Sequence, residues 1–220
     1  ITRVSTKHVT LPVLQCVLIK TNSNEVTFSA TNLEISIEVT KKVEVVEEGL
    51  VAVPATTLFQ AVQYLTKKTV TMSVVDGVLV VESGSGVTKI NVMPSDEFPH
   101  VTKLPEAGAT IKRQFLALGI KTVGFAASVS SIKPELGSIY IQQKKEHSLT
   151  FVATDSFRLM EKTVPQQGFI LPQTILIPAK NALELARICD TLESDPTLSI
   201  TDNQCALAFS EGVYVVSRLV

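Results

Sequence analysis

Alternating apolar and polar residues predict that most of this chain is β-strand. Between residues 35 and 40, Ile, Ile and Val alternate with Ser, Glu and Thr, the two-residue period of a strand with one buried face. Residues 70–74 and 78–81 are interpreted as a hairpin, because the Asp76-Gly77 pair between them is a strong turn signal. The SGSG stretch at 83–86 predicts a second turn before a further strand. The pattern therefore predicts antiparallel sheets.

Three segments have instead the spacing of amphipathic helices, with apolar residues on one face. They are 56–67, 111–128 and the segment that follows Pro178. The first and the third each follow a proline, Pro54 or Pro178, which suits a helix start because the missing N–H costs little there. Polar and charged side chains form the outer faces of these two helices: Gln63 and Lys67 in one, and Lys180, Glu184 and Arg187 in the other.

The chain also repeats itself at a spacing of about 123 residues. The segment VTFSATN at 26–32 returns as LTFVATD at 149–155, and VPA at 53–55 returns as IPA at 177–179. Solenoid units run to roughly 20–50 residues, so a repeat of this length indicates a duplicated domain. It predicts a first domain at 1–94, a linker at 95–106 and a second domain at 107–220. It also predicts that the first domain lacks most of an opening helix.

Composition and charge narrow the class of protein to which this chain can belong. The 220 residues are 45% hydrophobic, which suffices for two packed cores. Cys16, Cys189 and Cys205 are odd in number and widely spaced, which is typical of reduced thiols in a cytoplasmic protein. No apolar run reaches the roughly 18–20 residues of a membrane helix. The net charge of −1 means that any affinity for nucleic acid must come from local placement of charge.

The sequence offers no catalytic cluster. Its three histidines lack metal-ligand spacing, and neither GxGxxG nor GxxxxGK[ST] occurs. The SGSG stretch is interpreted as a flexible turn and not as a phosphate loop, because no helix follows it. Asp155 and Arg158 are interpreted as a salt bridge at a strand end. We therefore expect no enzymatic activity, metal or cofactor.

The segment 149–160 (LTFVATDSFRLM) carries the most specific signal. A strand that ends in Ala-Thr-Asp, followed by Arg-Leu, resembles the bacterial sliding clamp family, the beta subunit of DNA polymerase III. Further matches occur in the same order at 11–14 (LPVL), 53–55 (VPA), 97–99 (EFP) and 177–180 (IPAK). The resemblance implies an α+β fold of tandem clamp domains, each with two helices packed on antiparallel sheets. It also implies that two of three domains are present.

In this family two subunits join head to tail around duplex DNA, and helices line the central hole. The resemblance implies that the outward helix faces contact phosphates, without reading sequence and with a strong dependence on salt. Residues Thr88 and Ile90 would lie at the dimer edge. The DNA-facing residues would be Lys7, His8, Gln63, Lys67, Lys112, Arg113, Lys121, Lys180 and Arg187.

The resemblance also implies a pocket beside the second domain that captures short peptides of partner proteins. The family commonly has Gly-His or Gly-Tyr where this chain has Ser156-Phe157, so we expect a different peptide preference. The implied partners are the polymerase III alpha subunit, the clamp loader and other proteins with a clamp-binding motif. The wall of the pocket would be Leu136, Thr154, Ser156, Phe157, Arg158 and Leu159.

These observations predict a non-catalytic processivity factor for DNA replication that encircles duplex DNA and tethers the polymerase. One alternative is a clamp-like scaffold that binds peptides but does not encircle DNA, and the weakly basic first copy keeps it open. Another is an enzyme domain that binds a small molecule or sugar. That domain would need a buried cluster of histidines or carboxylates, which the sequence does not offer.

Overall fold

The computed structural model of the chain contains two units, residues 1–101 and residues 102–220. Both units combine α-helices with antiparallel sheets, which confirms the predicted α+β class. The described part of unit 1 has one α-helix, and the described part of unit 2 has two. The description covers residues 1, 3–4, 11–65, 67, 69–105, 108–129, 132–145, 147–167 and 170–220.

In the described residues of unit 1, a 3-10 turn at Pro12–Gln15 precedes two antiparallel sheets and one α-helix. Strands β1 to β4 pair in the order β4-β1-β2-β3, and strands β5 to β7 pair in the order β5-β6-β7. The elements are β1 (Cys16–Asn22), β2 (Glu25–Thr31), β3 (Ile35–Lys42), β4 (Leu50–Pro54), α1 (Ala55–Gln63), β5 (Thr71–Val75), β6 (Val78–Ser83) and β7 (Gly86–Asn91).

The turn chemistry of unit 1 follows the prediction, whereas the helix end does not. Asp76 and Gly77 form a two-residue loop with φ of 51° and 73°, the left-handed values that a type I′ turn needs. Helix α1 ends at Gln63, earlier than the predicted residue 67. The N–H of Leu65 donates to the C=O of Val62 at 3.1 Å, and this tight turn brings Leu65 back onto the apolar core.

The part of unit 2 that the structure describes has a second pair of antiparallel sheets and two α-helices. One sheet has the order β11-β10-β9-β12, and strands β15, β14, β13 and β8 also pair in that order. The elements are β8 (Ala109–Thr110), α2 (Arg113–Val123), β9 (Ser138–Lys145), β10 (Ser148–Thr154), β11 (Leu159–Pro165), β12 (Ile175–Pro178), α3 (Ala179–Thr191), β13 (Thr197–Ile200), β14 (Gln204–Phe209) and β15 (Val213–Arg218).

The two helices of unit 2 bury the faces that their apolar spacing predicts. Helix α3 buries Ala182, Leu185, Ala186 and Cys189. Helix α2 ends at Val123 and continues as a 3-10 turn to Ala126, short of the predicted residue 128. Beyond this turn the chain is no longer helical, and the N–H of Ser128 donates to the C=O of Leu136 at 2.8 Å.

Hydrogen bonds and strand pairs recur at equivalent positions of the two units. The hydroxyls of Thr27 and Thr40 lie 3.0 Å apart in unit 1, as do those of Thr150 and Thr163 in unit 2. The proline before each helix ends a strand that pairs with β1 in unit 1 and with β9 in unit 2. The domain duplication seen in the sequence is therefore also a duplication of local structure.

Candidate DNA-facing and peptide-binding surfaces

The loop between β10 and β11 is held by side chains that bond to its own backbone. The carboxylate of Asp155 accepts the N–H groups of Phe157 at 3.0 Å and Arg158 at 2.9 Å. The hydroxyl of Thr154 donates to the C=O of Arg158 at 2.7 Å and accepts the N–H of Ser156 at 3.2 Å. Ser156 has φ of 76°, in the left-handed region. These bonds fix the backbone from which Phe157 projects.

Arg158 is positioned by two further contacts. Its Nε lies 2.9 Å from an oxygen of Asp155, which confirms the predicted salt bridge. Its guanidinium lies over the ring of Phe125, 5.4 Å from the ring centre, a distance typical of a cation–π contact. The backbone N–H groups of Arg158 and Phe157 lower the pKa of Asp155, and the Arg158 charge lowers it further. The cation is therefore presented in one orientation beside an aromatic ring.

Large apolar side chains around this loop are exposed. Phe157 is 99% exposed, Leu159 66% and Phe125 59%, while Leu136 is half-buried. Val129, also fully exposed, follows Ser128, whose N–H is bonded to Leu136. We call Phe125, Val129, Leu136, Phe157, Arg158 and Leu159 the loop patch. Within it, the ring of Phe125 contacts Arg158 directly, and exposed apolar groups of this kind are typical of interaction sites.

The prediction from sequence missed both Phe125, which was placed in the helix at 111–128, and Val129, which follows that segment. A usable signal was present, because extending the 100° helical period puts residue 125 opposite the buried stripe formed by Leu116, Ile120 and Val123. An apolar side chain on that side has no core to pack into. It therefore indicates an exposed apolar surface.

The equivalent loop of unit 1 has the same backbone but different side chains. The Oδ1 of Asn32 accepts the N–H groups of Glu34 at 3.0 Å and Ile35 at 2.9 Å, and Leu33 has φ of 73°. Ile35, which corresponds to Arg158, is buried. The loop backbone is thus shared by both units, whereas the cation Arg158 and the aromatic residues Phe125 and Phe157 occur only in unit 2.

Helices α2 and α3 lie side by side and run in opposite directions. At the start of α2, the guanidinium of Arg113 donates to the C=O of Cys189 at 3.1 Å and of Glu193 at 2.9 Å, both near the end of α3. At the other end, Gly124 lies against the side chain of Leu183, close to the start of α3. Arg113 therefore joins the two helices, and two of its five N–H donors bond to backbone carbonyls.

Three other predicted DNA-facing cations of unit 2 form ion pairs with acids. Lys112 lies 2.8 Å from Asp195, Lys121 lies 2.8 Å from Asp190, and Arg187 lies 2.6 Å from Glu184. The hydrogen bond from the Lys112 side chain is the main cause that lowers the pKa of Asp195, which also accepts the N–H of Arg113. Lys180 is exposed at the start of α3 and has no ion pair among the described residues.

The predicted contact residues of unit 1 are more dispersed. Gln63 is exposed at the last position of α1. The stem of Lys67 lies over the turn at Gly84, where a Cβ would stand 3.1 Å from it. Lys7 and His8 fall outside the described residues. In the described part of unit 1, the predicted DNA-facing residues are therefore one amide, Gln63, and one cation, Lys67.

The predicted dimer edge, Thr88 and Ile90, lies on β7, the outer strand of the β5-β6-β7 sheet. Thr88 is half-buried, and the side chain of Ile90 is 3% exposed and packs in the core of unit 1. An edge contact at Ile90 would therefore have to use backbone groups.

The cysteines of this chain are core residues. Cys16, Cys189 and Cys205 are buried free thiols, and burial raises the pKa of both Cys189 and Cys205 to about 12. In the described part of the chain, no group of three or more His, Cys, Asp or Glu residues is arranged to hold a metal ion. Over the same residues, no helix is long and apolar enough to cross a membrane.

Comparison with known proteins gives one consistent family. The model of the DNA polymerase III beta subunit N-terminal domain matches residues 1–102, and that of its central domain matches residues 110–220. The beta sliding clamp of Halalkalibacterium halodurans is 28% identical over 99% of this chain and 63% of its own length. That of Bacillus subtilis is 28% identical over 96% of this chain and 58% of its own length. The chain thus spans less than two thirds of these relatives.

Solved structures agree on the fold. The DNA polymerase III beta subunit of Thermotoga maritima superposes with a TM-score of 0.89 at 24% identity, over 100% of this chain and 60% of its own. A Pseudomonas aeruginosa sliding clamp bound to griselimycin superposes with a TM-score of 0.87 at 23% identity, over the same shares of the two chains. With both domain models matching in order along the sequence, this chain belongs to the DNA polymerase III beta subunit family, of which it carries the N-terminal and central domains.

Proposed function

We propose that this chain acts as part of a DNA sliding clamp, a cytoplasmic and non-catalytic processivity factor. In this proposal the protein encircles duplex DNA as a head-to-tail homodimer and tethers the polymerase III alpha subunit, the clamp loader and other proteins with a clamp-binding motif. The main support is that two clamp domain models match in order along the chain, together with the clamp fold of both units.

The DNA contact is proposed for the exposed faces of α2 and α3. Lys180 supports this most directly, because it is exposed and has no ion pair among the described residues. A lysine that contacts a phosphate adds about 0.9 to the slope of log K against log salt concentration. Lys180→Ala should therefore weaken binding to duplex DNA and flatten this slope by about 0.9, whatever the DNA sequence.

The control is Lys162→Ala, which removes the same charge from strand β11. Fluorescence anisotropy of a labelled linear duplex, titrated at several salt concentrations, gives both slopes. Equal slopes for Lys180→Ala and the parent protein would contradict the proposed DNA contact. Adding Arg187→Ala extends the test to the other outward cation of α3.

The peptide contact is proposed for the loop patch, where the oriented cation of Arg158 lies over the exposed ring of Phe125. Leu159→Asp should abolish binding of a clamp-binding peptide, because a charge would then have to be buried against the apolar anchor of the peptide. Leu33→Asp is the matched control, since Leu33 is 55% exposed in the equivalent loop of unit 1. Griselimycin is a second probe, because a similar clamp has been solved bound to it.

Calorimetry of both variants decides the assignment. Loss of peptide binding in Leu159→Asp with retention in Leu33→Asp supports the loop patch. Equal binding by the two variants would place the peptide contact elsewhere.

The second candidate function is a scaffold that binds peptides but does not encircle DNA. The ion pairs of Lys112, Lys121 and Arg187 favour it, because a paired cation attracts phosphate less strongly. If the protein is such a scaffold, Leu159→Asp should still abolish peptide binding, whereas Lys180→Ala should leave the DNA affinity unchanged. The two functions are therefore separated by the same pair of variants.

A further inference from the structure

Two acids on α3 bind the cations that the proposed function assigns to DNA. Both oxygens of Asp190 lie within hydrogen-bond distance of the Lys121 ammonium, at 3.1 and 2.8 Å, and both side chains are 50% exposed. Glu184 lies one helical turn before Arg187 and bonds to its guanidinium at 2.6 Å. We infer that Asp190 and Glu184 compete with DNA phosphates for Lys121 and Arg187, and so weaken the grip of this surface on DNA. The inference rests on the proposed function.

Asp190 and Glu184 differ from the other acids of this region in what they bond. The carboxylate of Asp195 accepts the N–H of Arg113 at the start of α2, and that of Glu211 accepts the N–H groups of Glu193 and Ser194. The carboxylates of those two acids therefore fix the local backbone by accepting its N–H groups. In the described structure, the carboxylates of Asp190 and Glu184 bond only to cationic side chains, so their removal leaves backbone bonds intact.

The position of Asp190 gives a further reason to assign it to the cation. It lies in the last turn of α3, where the helix dipole disfavours a negative charge. Asp190 therefore does not stabilise its own helix. Its carboxylate is explained by Lys121 on the neighbouring helix, 69 residues earlier in the sequence.

Competition of this kind is weak enough to be reversible. An exposed ion pair shifts an equilibrium by no more than about fivefold. A phosphate uses the same donors as a carboxylate, so DNA can displace the acid without any change of fold. A contact that is partly satisfied without DNA is easier to break, which suits a surface that must move along the duplex. The acids would thus keep the contacts of Lys121 and Arg187 short-lived.

The test compares Asp190→Asn with Glu193→Gln in the 220-residue chain. Glu193 lies just after α3, and its exposed carboxylate has no partner in the described structure, so Glu193→Gln controls for the lost negative charge. Anisotropy with a linear duplex at low salt should show that Asp190→Asn binds two- to fivefold more tightly than Glu193→Gln. The slope of log K against log salt concentration should steepen by up to about 0.9. Glu184→Gln should act in the same direction through Arg187.

A double variant tests whether Asp190 acts through Lys121. In a Lys121→Gln background, Asp190→Asn should raise DNA affinity by no more than Glu193→Gln does, because Lys121, the cation that Asp190 binds, is no longer present. Equal gains from Asp190→Asn and Glu193→Gln in the parent background would overturn the inference.

Lys180→Ala separates a failure of the inferred competition from a failure of the proposed DNA contact. If Lys180→Ala weakens DNA binding, whereas Asp190→Asn and Glu193→Gln have equal DNA affinity, then Asp190 does not compete with DNA and the proposed DNA contact stands. If neither Lys180→Ala nor Asp190→Asn alters binding, this surface does not meet DNA, and both proposals fail.

Discussion

Helix α2 can pack on the sheet of unit 2 only because residue 119 is glycine. A Cβ built there would stand 2.4 Å from two ring carbons of Phe151, which is fully buried on β10. Both distances are far below that of an ordinary carbon–carbon contact, and the ring cannot turn into solvent because Phe151 is fully buried. Gly119→Ala should therefore push α2 off the sheet and destabilise unit 2.

Two opposing effects decide the magnitude. Alanine is favoured over glycine inside a helix by about 1 kcal/mol. Overpacking a filled core costs typically about 1–3 kcal/mol, and two close ring contacts place this site at the upper end. The net loss should be about 2 kcal/mol. For a unit of this size we expect the Tm to fall by roughly 5–10 °C.

Gly124→Ala is the matched control, five residues further along. Gly124 has φ of −56°, and the nearest neighbour of its added Cβ would be a terminal methyl of Leu183 at 3.1 Å, on a side chain that is 37% exposed. The other neighbours, Leu183 Cγ at 3.6 Å and Ile139 Cδ1 at 3.7 Å, are at ordinary contact distances. The Leu183 methyl can move into solvent. Gly124→Ala should thus be neutral or stabilising by up to about 1 kcal/mol, because alanine restricts the unfolded chain.

Urea denaturation followed by circular dichroism measures both variants, and hydrogen exchange locates the effect in α2 and β10. In a Phe151→Leu background the ring is absent, and the cost of Gly119→Ala should shrink. A Gly119→Ala protein as stable as its parent, with unchanged exchange in α2, would refute the packing argument.

Two further predictions concern acids that hold loops. The pKa of Glu211 is lowered from 4.5 to about 2, first by the hydroxyl and then by the N–H of Ser194. Since the folded pKa is the lower one, its stabilisation is present above pH 4.5 and lost as the pH falls towards 2; Glu211→Gln should flatten this part of the stability curve in acid urea titrations. Asp155→Ala should lose both the backbone bonds of its loop and the pairing of Arg158, and so weaken peptide binding. Asp155→Asn should keep the loop, as Asn32 does in unit 1; equal hydrogen exchange in the two variants would contradict this.

Local patterns predicted much of the fold because their causes are local. The Asp76-Gly77 turn depends on two residues that tolerate positive φ, and the buried face of α3 depends on helical spacing alone. The repeat added long-range information, since it identified two copies of one fold without any knowledge of contacts. The ends of α1 and α2 were wrong, because a turn at Leu65 and a bond from Ser128 to Leu136 depend on tertiary packing.

The charge balance of the candidate DNA surface could not be predicted from the sequence. The segment 111–128 contains cations and no acid, so it reads as strongly basic. Its acids come from α3 and the loop after it, 69 residues away in the case of Lys121 and 83 in the case of Lys112. Only the packing of α2 against α3 brings them together. A count of charge along one helix therefore overestimates the positive potential of a helix pair.

The candidate peptide surface arises from side chains placed on a backbone that both units share. In each unit an Asn or Asp accepts two N–H groups of the loop, and a threonine hydroxyl accepts a third. Unit 1 follows this backbone with a buried isoleucine, whereas unit 2 follows it with Arg158 and Leu159, which are exposed. Since the loop is stable in either case, Phe157 and Leu159 can change without loss of its hydrogen bonds. Under the proposed function, the peptide preference can therefore change while the Thr-Asp loop keeps its backbone hydrogen bonds.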